Sequence, residues 1–262
     1  MNLIFITDNS SYAKDLAIAG VDTIMVDLEI NGKVKRQGHL NTLISNHEFN
    51  SINLVAEALI GTSAFILVRL NPVCSDTKLE VDKAISLGAS KLMLPMFRSP
   101  REVELFLSYV NDRVPVTLLL ETSAALARLP EILKVKGEFD IHIGLNDLHL
   151  DMKLNFMFEL LQKDGIVEYI SCMCKKYGRK FGIGGVSRLG GDAPLPAEYV
   201  LSEHVRLGSS SVILSRDWRS SLLEGDLDYQ VRALRDFLCA GSFVDSLLVS
   251  EKISQIVNNY GK

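Results

Sequence analysis

The chain has 262 residues, enough for one large α/β domain or two small ones, and its 47% hydrophobic content supplies a sizeable core. A net charge of −4 and a pI near 5.8 leave no global basic field to recruit nucleic acid. No apolar run approaches the length of a membrane span, so nucleic-acid and membrane partners are both excluded as expectations.

The first residues, Met1 to Asp8, lack a basic region and a long apolar stretch, so no signal peptide is expected. The four cysteines, Cys74, Cys172, Cys174 and Cys239, lack zinc-site spacing. Together these predict a cytoplasmic protein with reduced thiols.

Short apolar, β-branched runs alternate with longer amphipathic ones. Strands are predicted at Asn2–Ile6, Thr23–Leu28, Phe65–Leu70, Lys91–Pro95, Val116–Glu121, Phe139–Gly144, Lys180–Gly185 and Ser211–Leu214. Helices are predicted between them at Ser11–Ala19, Ile52–Leu59, Thr77–Leu87, Pro100–Val110, Ala124–Lys134, Asn155–Tyr177 and Pro196–Arg206. Ser99 before Pro100, and Pro196, mark helix starts, while Gly20, Gly88, Gly178 and Gly208 mark helix ends. Eight strand–helix units in this length predict a single (β/α)₈ barrel, and no Gly-rich dinucleotide fingerprint follows the first strand. From Trp218 onward the pattern is helical. Val231, Leu234, Phe237 and Leu238 form one stripe, and Val244, Leu247, Leu248, Ile253, Ile256 and Val257 form a second. This tail, 218–262, is expected to pack on its own barrel or to be exchanged between subunits.

In such a barrel the site lies at the C-terminal ends of the strands. Strand two delivers Asp27 and Glu29, strand three Arg69 and Asn71, and strand five Glu121, Thr122 and Ser123. Strand six delivers Gly144, Asn146 and Asp147, strand seven Gly184 and Gly185, and strand eight Ser215 and Arg216. Glu121 and Asp147 each follow a buried run and should point into one mouth, as a hard-oxygen pair suited to Mg²⁺ or Mn²⁺. Arg69 ends an apolar strand and cannot shed its charge, so it needs an anionic partner, either a barrel acid or a substrate. Metal and arginine together can hold a 2-oxo acid, with the arginine stabilising the charge of an enolate.

The loop after strand two carries Lys33, Lys35, Arg36, Gln37, His39 and Asn41, then Ser45, Asn46 and His47. It reads either as a solvated connector or as a lid that binds an anionic substrate and brings His39 or His47 as acid/base. His149 is a third candidate base, whereas His142 and His204 are expected to be structural. The glycines of Gly182–Val186 and the run Leu207–Leu214 offer either tight turns or a phosphate site.

Five stretches resemble one family. They are Gly20–Glu29, Val68–Asn71, Gly88–Pro95, Leu120–Thr122 and Gly144–Met152, each at a strand end and in order. Between about Gly20 and Arg216 the chain is similar to the HpcH/HpaI aldolase and citrate lyase β-subunit family. The resemblance implies a (β/α)₈ barrel of the pyruvate/phosphoenolpyruvate type, often with an exchanged C-terminal helix, in a homo-oligomer. It implies Mg²⁺ or Mn²⁺ on Glu121 and Asp147, Arg69 on a 2-oxo acid, and carbon–carbon lyase chemistry through an enolate of a 2-oxo acid or acyl-CoA. Glu29 and His39 join Arg69 as expected catalytic residues, and Arg36, Gln37, Gly144 and Ser123 as substrate-binding ones. Family members acting on sugar acids carry a histidine just after the strand-two acid. Here that position reads Asp27-Leu28-Glu29-Ile30, closer to the citrate or malyl-CoA lyase branch. The rival readings are a phosphosugar isomerase or synthase using the strand-seven and strand-eight glycines, and a non-catalytic ligand-binding barrel.

Overall fold

The structure is a computed structural model and describes residues 1–30, 48–241 and 243–259. The eight predicted strands are present: β1 Asn2–Ile6, β2 Thr23–Asp27, β3 Phe65–Arg69, β4 Lys91–Leu94, β5 Val116–Leu120, β6 Phe139–Ile143, β7 Phe181–Val186 and β8 Ser211–Leu214. Each pairs in parallel with the next, and β8 closes on β1. Parallel strands covered by helices are buried on both faces, which is why they are spelled as nearly continuous apolar runs.

Side chains alternate across the wall. The inward set includes Ile4, Met25, Leu67, Met93 and Leu119, with Ile6 and Ile213 packed against them. The outward set, such as Ile24, Val26, Val68, Leu118 and Ile141, joins the large core beneath the helices. A closed barrel needs both layers, because every strand must bury two faces. The floor is polar: Thr23 Oγ1 donates to Asn2 Oδ1 at 3.1 Å, and Lys91 pairs with Asp140.

The helices are α1 Ser10–Ile18, α2 Phe49–Ala58, α3 Thr77–Ser86, α4 Pro100–Val110, α5 Ser123–Ala127, α6 Leu129–Leu133, α7 Leu145–Asp151, α8 Ile166–Lys176, α9 Ala197–Leu207, α10 Trp218–Glu224, α11 Leu227–Ala240 and α12 Ser246–Asn259. The start of α4 follows its predicted signals: Ser99 Oγ accepts from Glu102 N–H, and Pro100 fills the first turn. Gly208 ends α9 at φ +75°, a left-handed conformation that glycine adopts without a side-chain penalty.

Two helix expectations are corrected. Ala124–Lys134 is two short helices broken at Arg128 (φ −109°, ψ 15°). Pro130 cannot donate a helical hydrogen bond, and its ring excludes a continuous helix through Leu126. Asn155–Tyr177 is a 3₁₀ turn, Met157–Leu161, followed by α8. Between them Asp164 takes φ +58°, and a Cβ on Gly165 would lie 2.5 Å from the Gln162 carbonyl oxygen. Only glycine allows that turn.

The tail packs on its own barrel. Val231 and Leu234 of α11 and Val249 and Ile253 of α12 are buried in the main core, whereas Leu247 and Leu248 are exposed. Arg235 anchors α11 by donating to Met1 O and Gly20 O, each at 2.8 Å, and to Asp22 Oδ2 at 2.7 Å. Lys163 N–H donates to Ser250 Oγ at 2.8 Å and holds α12 against the 3₁₀ turn. Among the described residues no helix is long and apolar enough to cross a membrane.

Candidate active site

Register brings the first charged pair together. Asp27 and Arg69 are direct partners across β2 and β3 and both face inward at the C-terminal rim. Arg69 Nε donates to Asp27 Oδ1 at 2.8 Å, and Nη2 donates to Oδ2 at 2.7 Å. Glu29 Oε2 lies 3.6 Å from Nε. Burial works against the guanidinium charge, but the attraction and hydrogen bonds of Asp27, joined by Glu29 and Glu121, outweigh it and raise the Arg69 pKa. The arginine therefore has the barrel-acid partner that an apolar strand end demands. Because Asp27 occupies the Nε–Nη2 edge, the remaining guanidinium donors define its other edge.

Asp27 also accepts from Glu29 N–H at 3.2 Å, and Asn71 Oδ1 accepts from Ile30 N–H at 3.0 Å. Asn71 is held in turn by Glu80, its Nδ2 donating to Oε1 at 2.7 Å. The end of β2 is thus braced by β3 and α3.

Glu121 follows β5 and is 2% exposed. Its Oε1 accepts from Met96 N–H at 3.0 Å. Met96 takes φ +54°, a left-handed conformation uncommon for a residue with a side chain. Thr122 Oγ1 donates to Phe97 O at 2.9 Å and so holds that turn in place. Gly144 faces Glu121 from β6: its N–H donates to Leu120 O at 3.0 Å. A Cβ there would lie 2.9 Å from Glu121 Cβ and 3.0 Å from Oε2. Gly144, expected to bind substrate, thus makes room for the Glu121 carboxylate and spends its own N–H on the strand ladder.

Asp147, which follows the strand-six run, sits in the first turn of α7 and is buried. Burial first, and then the like charges of Glu29 and Asp147, push the Glu121 carboxyl well above its ordinary range. Arg69 and the Met96 N–H act against this without cancelling it. Among the described residues no group of three or more His, Cys, Asp or Glu side chains forms a ready cation cage. The donor set does fit a hard divalent cation held by two carboxylates, with water and substrate completing the shell. A buried acid cluster that repels itself is relieved by such a charge, and the absent side chain of Gly144 lets the Glu121 carboxylate take its place in that cluster.

Ser123, the other expected substrate contact, spends its polar groups on α7. Its N–H donates to Asp151 Oδ2 at 2.7 Å, and its hydroxyl donates to the same oxygen at 2.5 Å. His149 turns Nδ1 toward Leu145 O at 3.2 Å and is buried in α7, which argues against its role as a mobile base. Arg36, Gln37 and His39, with His47, lie outside the described residues.

The β7 glycines have a packing explanation. His142 faces inward from β6, and Ser211 faces inward from β8 with its Oγ 3.4 Å from His142 Nδ1. A Cβ on Gly182 would lie 2.0 Å from Ser211 Oγ and 2.6 Å from His142 Nδ1. A Cβ on Gly184 would lie 3.1 Å from Ile143 O. No phosphate is needed to explain either residue. The orienting roles of Asp27, Asn71, Met96 and Thr122 were not read from sequence. Asp27, Asn71 and Thr122 are visible there only as polar residues at strand ends, and Met96 leaves no sequence signal because it acts through its backbone.

The model of the HpcH/HpaI aldolase/citrate lyase family matches residues 3–189. A 2-dehydro-3,6-dideoxy-6-sulfogluconate aldolase from Pseudomonas putida is 25% identical over 218 residues, covering 70% of this chain and 77% of that protein. The structure of an HpcH/HpaI aldolase from Desulfitobacterium hafniense DCB-2 superposes with a TM-score of 0.64 at 16% identity, covering 90% of this chain and 93% of that one. Citrate synthase SbnG superposes with a TM-score of 0.63 at 14% identity, covering 88% and 93%. At these identities the two structures establish the barrel alone. The match across most of the chain carries the assignment: this protein belongs to the HpcH/HpaI aldolase/citrate lyase family.

Proposed function

We propose that this chain is a divalent-metal-dependent carbon–carbon lyase acting through an enolate of a 2-oxo acid or acyl compound. One observation carries the reading: a half-buried guanidinium, fixed by Asp27, shares the barrel mouth with Glu29, Glu121 and Asp147, whose mutual repulsion leaves the site short of positive charge. Glu121 and Asp147 would hold Mg²⁺ or Mn²⁺, which as a Lewis acid would polarise the keto and carboxylate oxygens of the substrate.

The chain's own residues supply the rest. Asp27 grips one edge of Arg69 and aims its remaining donors, where they can stabilise the oxygen on which negative charge develops. The planar fork is pre-organised, so little reorganisation is needed as the charge forms. Glu29 is the nearest described carboxylate to Arg69 after Asp27, and we assign it a proton-holding role at the reacting carbon. His39 is the alternative base, with Arg36 and Gln37 recognising the distal part of the substrate. The Pseudomonas putida relative, named as an aldolase of a 2-oxo sugar acid, supports the substrate class. Free cysteines agree with a reducing cytoplasm, and a homo-oligomer is part of the same proposal.

The test is exchange of pyruvate methyl protons for deuterium with Mg²⁺, Mn²⁺ or chelator present. Metal-dependent exchange in wild type, abolished in Glu121→Gln and Asp147→Asn with folding retained, is the expected result. Absence of exchange with either metal, or full exchange in excess chelator, overturns the reading.

A further inference from the structure

Two carboxylates that share a cation must keep a set separation, yet Glu121 and Asp147 come from different elements with different supports. Glu121 is held from the β4 side. Met96 N–H donates to it, and the buried Thr122 hydroxyl pins the Met96–Phe97 turn. Asp147 rides on α7, a helix of seven residues whose N-cap, Gly144, offers no side-chain cap. So short a helix has little stability of its own; Leu145 and Leu148 seat it in the core, and its C-terminal end needs a further tie to fix its position.

The structure assigns that task to Asp151, a positioning residue for the carboxylate pair. Asp147 and Asp151 are four residues apart, so they share one face of α7. Ser123 lies two residues beyond Glu121. Both its N–H and its hydroxyl donate to a single oxygen of Asp151, at 2.7 and 2.5 Å. Those bonds to an ionised group are of the stronger kind. The Ser123 hydroxyl, foremost, holds the Asp151 carboxyl below its ordinary range, and the charge of Arg98 acts in the same direction. The chain thus runs from Glu121 through Ser123 and Asp151 to Asp147 as one closed bracket. It sets where the second carboxylate stands relative to the first. Asp151 touches no reacting atom in this scheme and acts only through Asp147.

The inference rests on the metal-binding reading above, and the experiment separates the two. Mn²⁺ affinity is measured by calorimetry on the full chain for wild type, Ser123→Ala, Asp151→Asn and Ser123→Thr, each with a thermal melt. Both bonds lie at the surface, so the variants should melt within a few degrees of wild type. Partners one bond removed from a metal ligand change affinity by about 10- to 100-fold, and this bracket acts at one further remove. Ser123→Ala and Asp151→Asn should therefore bind Mn²⁺ about five- to tenfold more weakly, while Ser123→Thr, which keeps the hydroxyl, should stay near wild type. Exchange of pyruvate protons in the two weak variants should recover as Mn²⁺ is raised. If wild type binds Mn²⁺ and both variants match it, the bracket is ordinary surface hydrogen bonding and the inference fails alone. If wild type does not bind Mn²⁺, both readings fail together.

Discussion

Gly144→Ala is the sharpest probe of the carboxylate layer, because it adds one methyl group at one known place. The backbone there, φ −84° and ψ 86°, is open to alanine, so the cost is steric and not conformational. The new Cβ would sit 2.9 Å from Glu121 Cβ, 3.0 Å from Oε2 and 3.3 Å from Leu119 Cδ1. To reach ordinary contact, Glu121 must retreat by about half an ångström, and retreat strains its bond to Met96 N–H. Overpacking of this kind costs roughly 1–3 kcal/mol. If that cost falls on the ligating position of Glu121, Mn²⁺ affinity drops about 5- to 150-fold, at 1.4 kcal/mol per factor of ten. Calorimetric titration with Mn²⁺, beside urea unfolding, reads both effects. Gly178→Ala is the control: it strains a left-handed glycine (φ +67°) that has nothing within 4 Å, so it should lower stability and leave affinity unchanged. Wild-type Mn²⁺ affinity in Gly144→Ala would refute the reasoning, because the carboxylate crowded by Gly144 would then not be the one that holds the cation.

Arg69→Lys should retain Mn²⁺ yet slow pyruvate proton exchange on the order of a hundredfold, since an ammonium cannot reproduce the two bonds to Asp27 and still present a second edge; an unchanged rate would make Arg69 purely structural. Burial, foremost, lowers the pKa of both His142 and His204 to about 3, from an ordinary 6.5. The unfolded chain binds protons first, so the stability these two contribute is complete above pH 6.5 and is lost as pH falls from there toward 3. At pH 5 the loss is roughly 2 kcal/mol for each. His204→Asn, whose amide can donate to Ser209 Oγ in place of the imidazole, should lose about half of the wild-type decline between pH 6.5 and 5 in urea melts; an identical decline would rule out His204 as a contributor. Arg235→Ala removes three hydrogen bonds that clamp α11 to the barrel floor and should cost about 1–2 kcal/mol, read as a lower urea midpoint with Mn²⁺ affinity unchanged.

Local chemistry determined the barrel. Parallel strands buried on both faces must be apolar runs, and the helices between them announce themselves by period and by caps such as Ser99 and Gly208, so eight units are countable in the chain itself. The rule that a barrel's chemistry sits at strand ends then led to Arg69, Glu121 and Gly144, which lie at the C-terminal ends of β3, β5 and β6. Local pattern failed where a turn depends on one residue's geometry, as at Pro130 and Gly165, which split helices that look continuous by period. It also failed to say what each rim residue does. Whether Ser123 meets a substrate or Asp151, whether Gly144 offers its N–H or its missing side chain, and which acid grips Arg69 all depend on groups 20 to 45 residues away. Those pairings follow from barrel closure and strand register, which set Asp27 beside Arg69 and Gly144 beside Glu121. Register is a property of neighbouring strands, and so only the tertiary structure decides it.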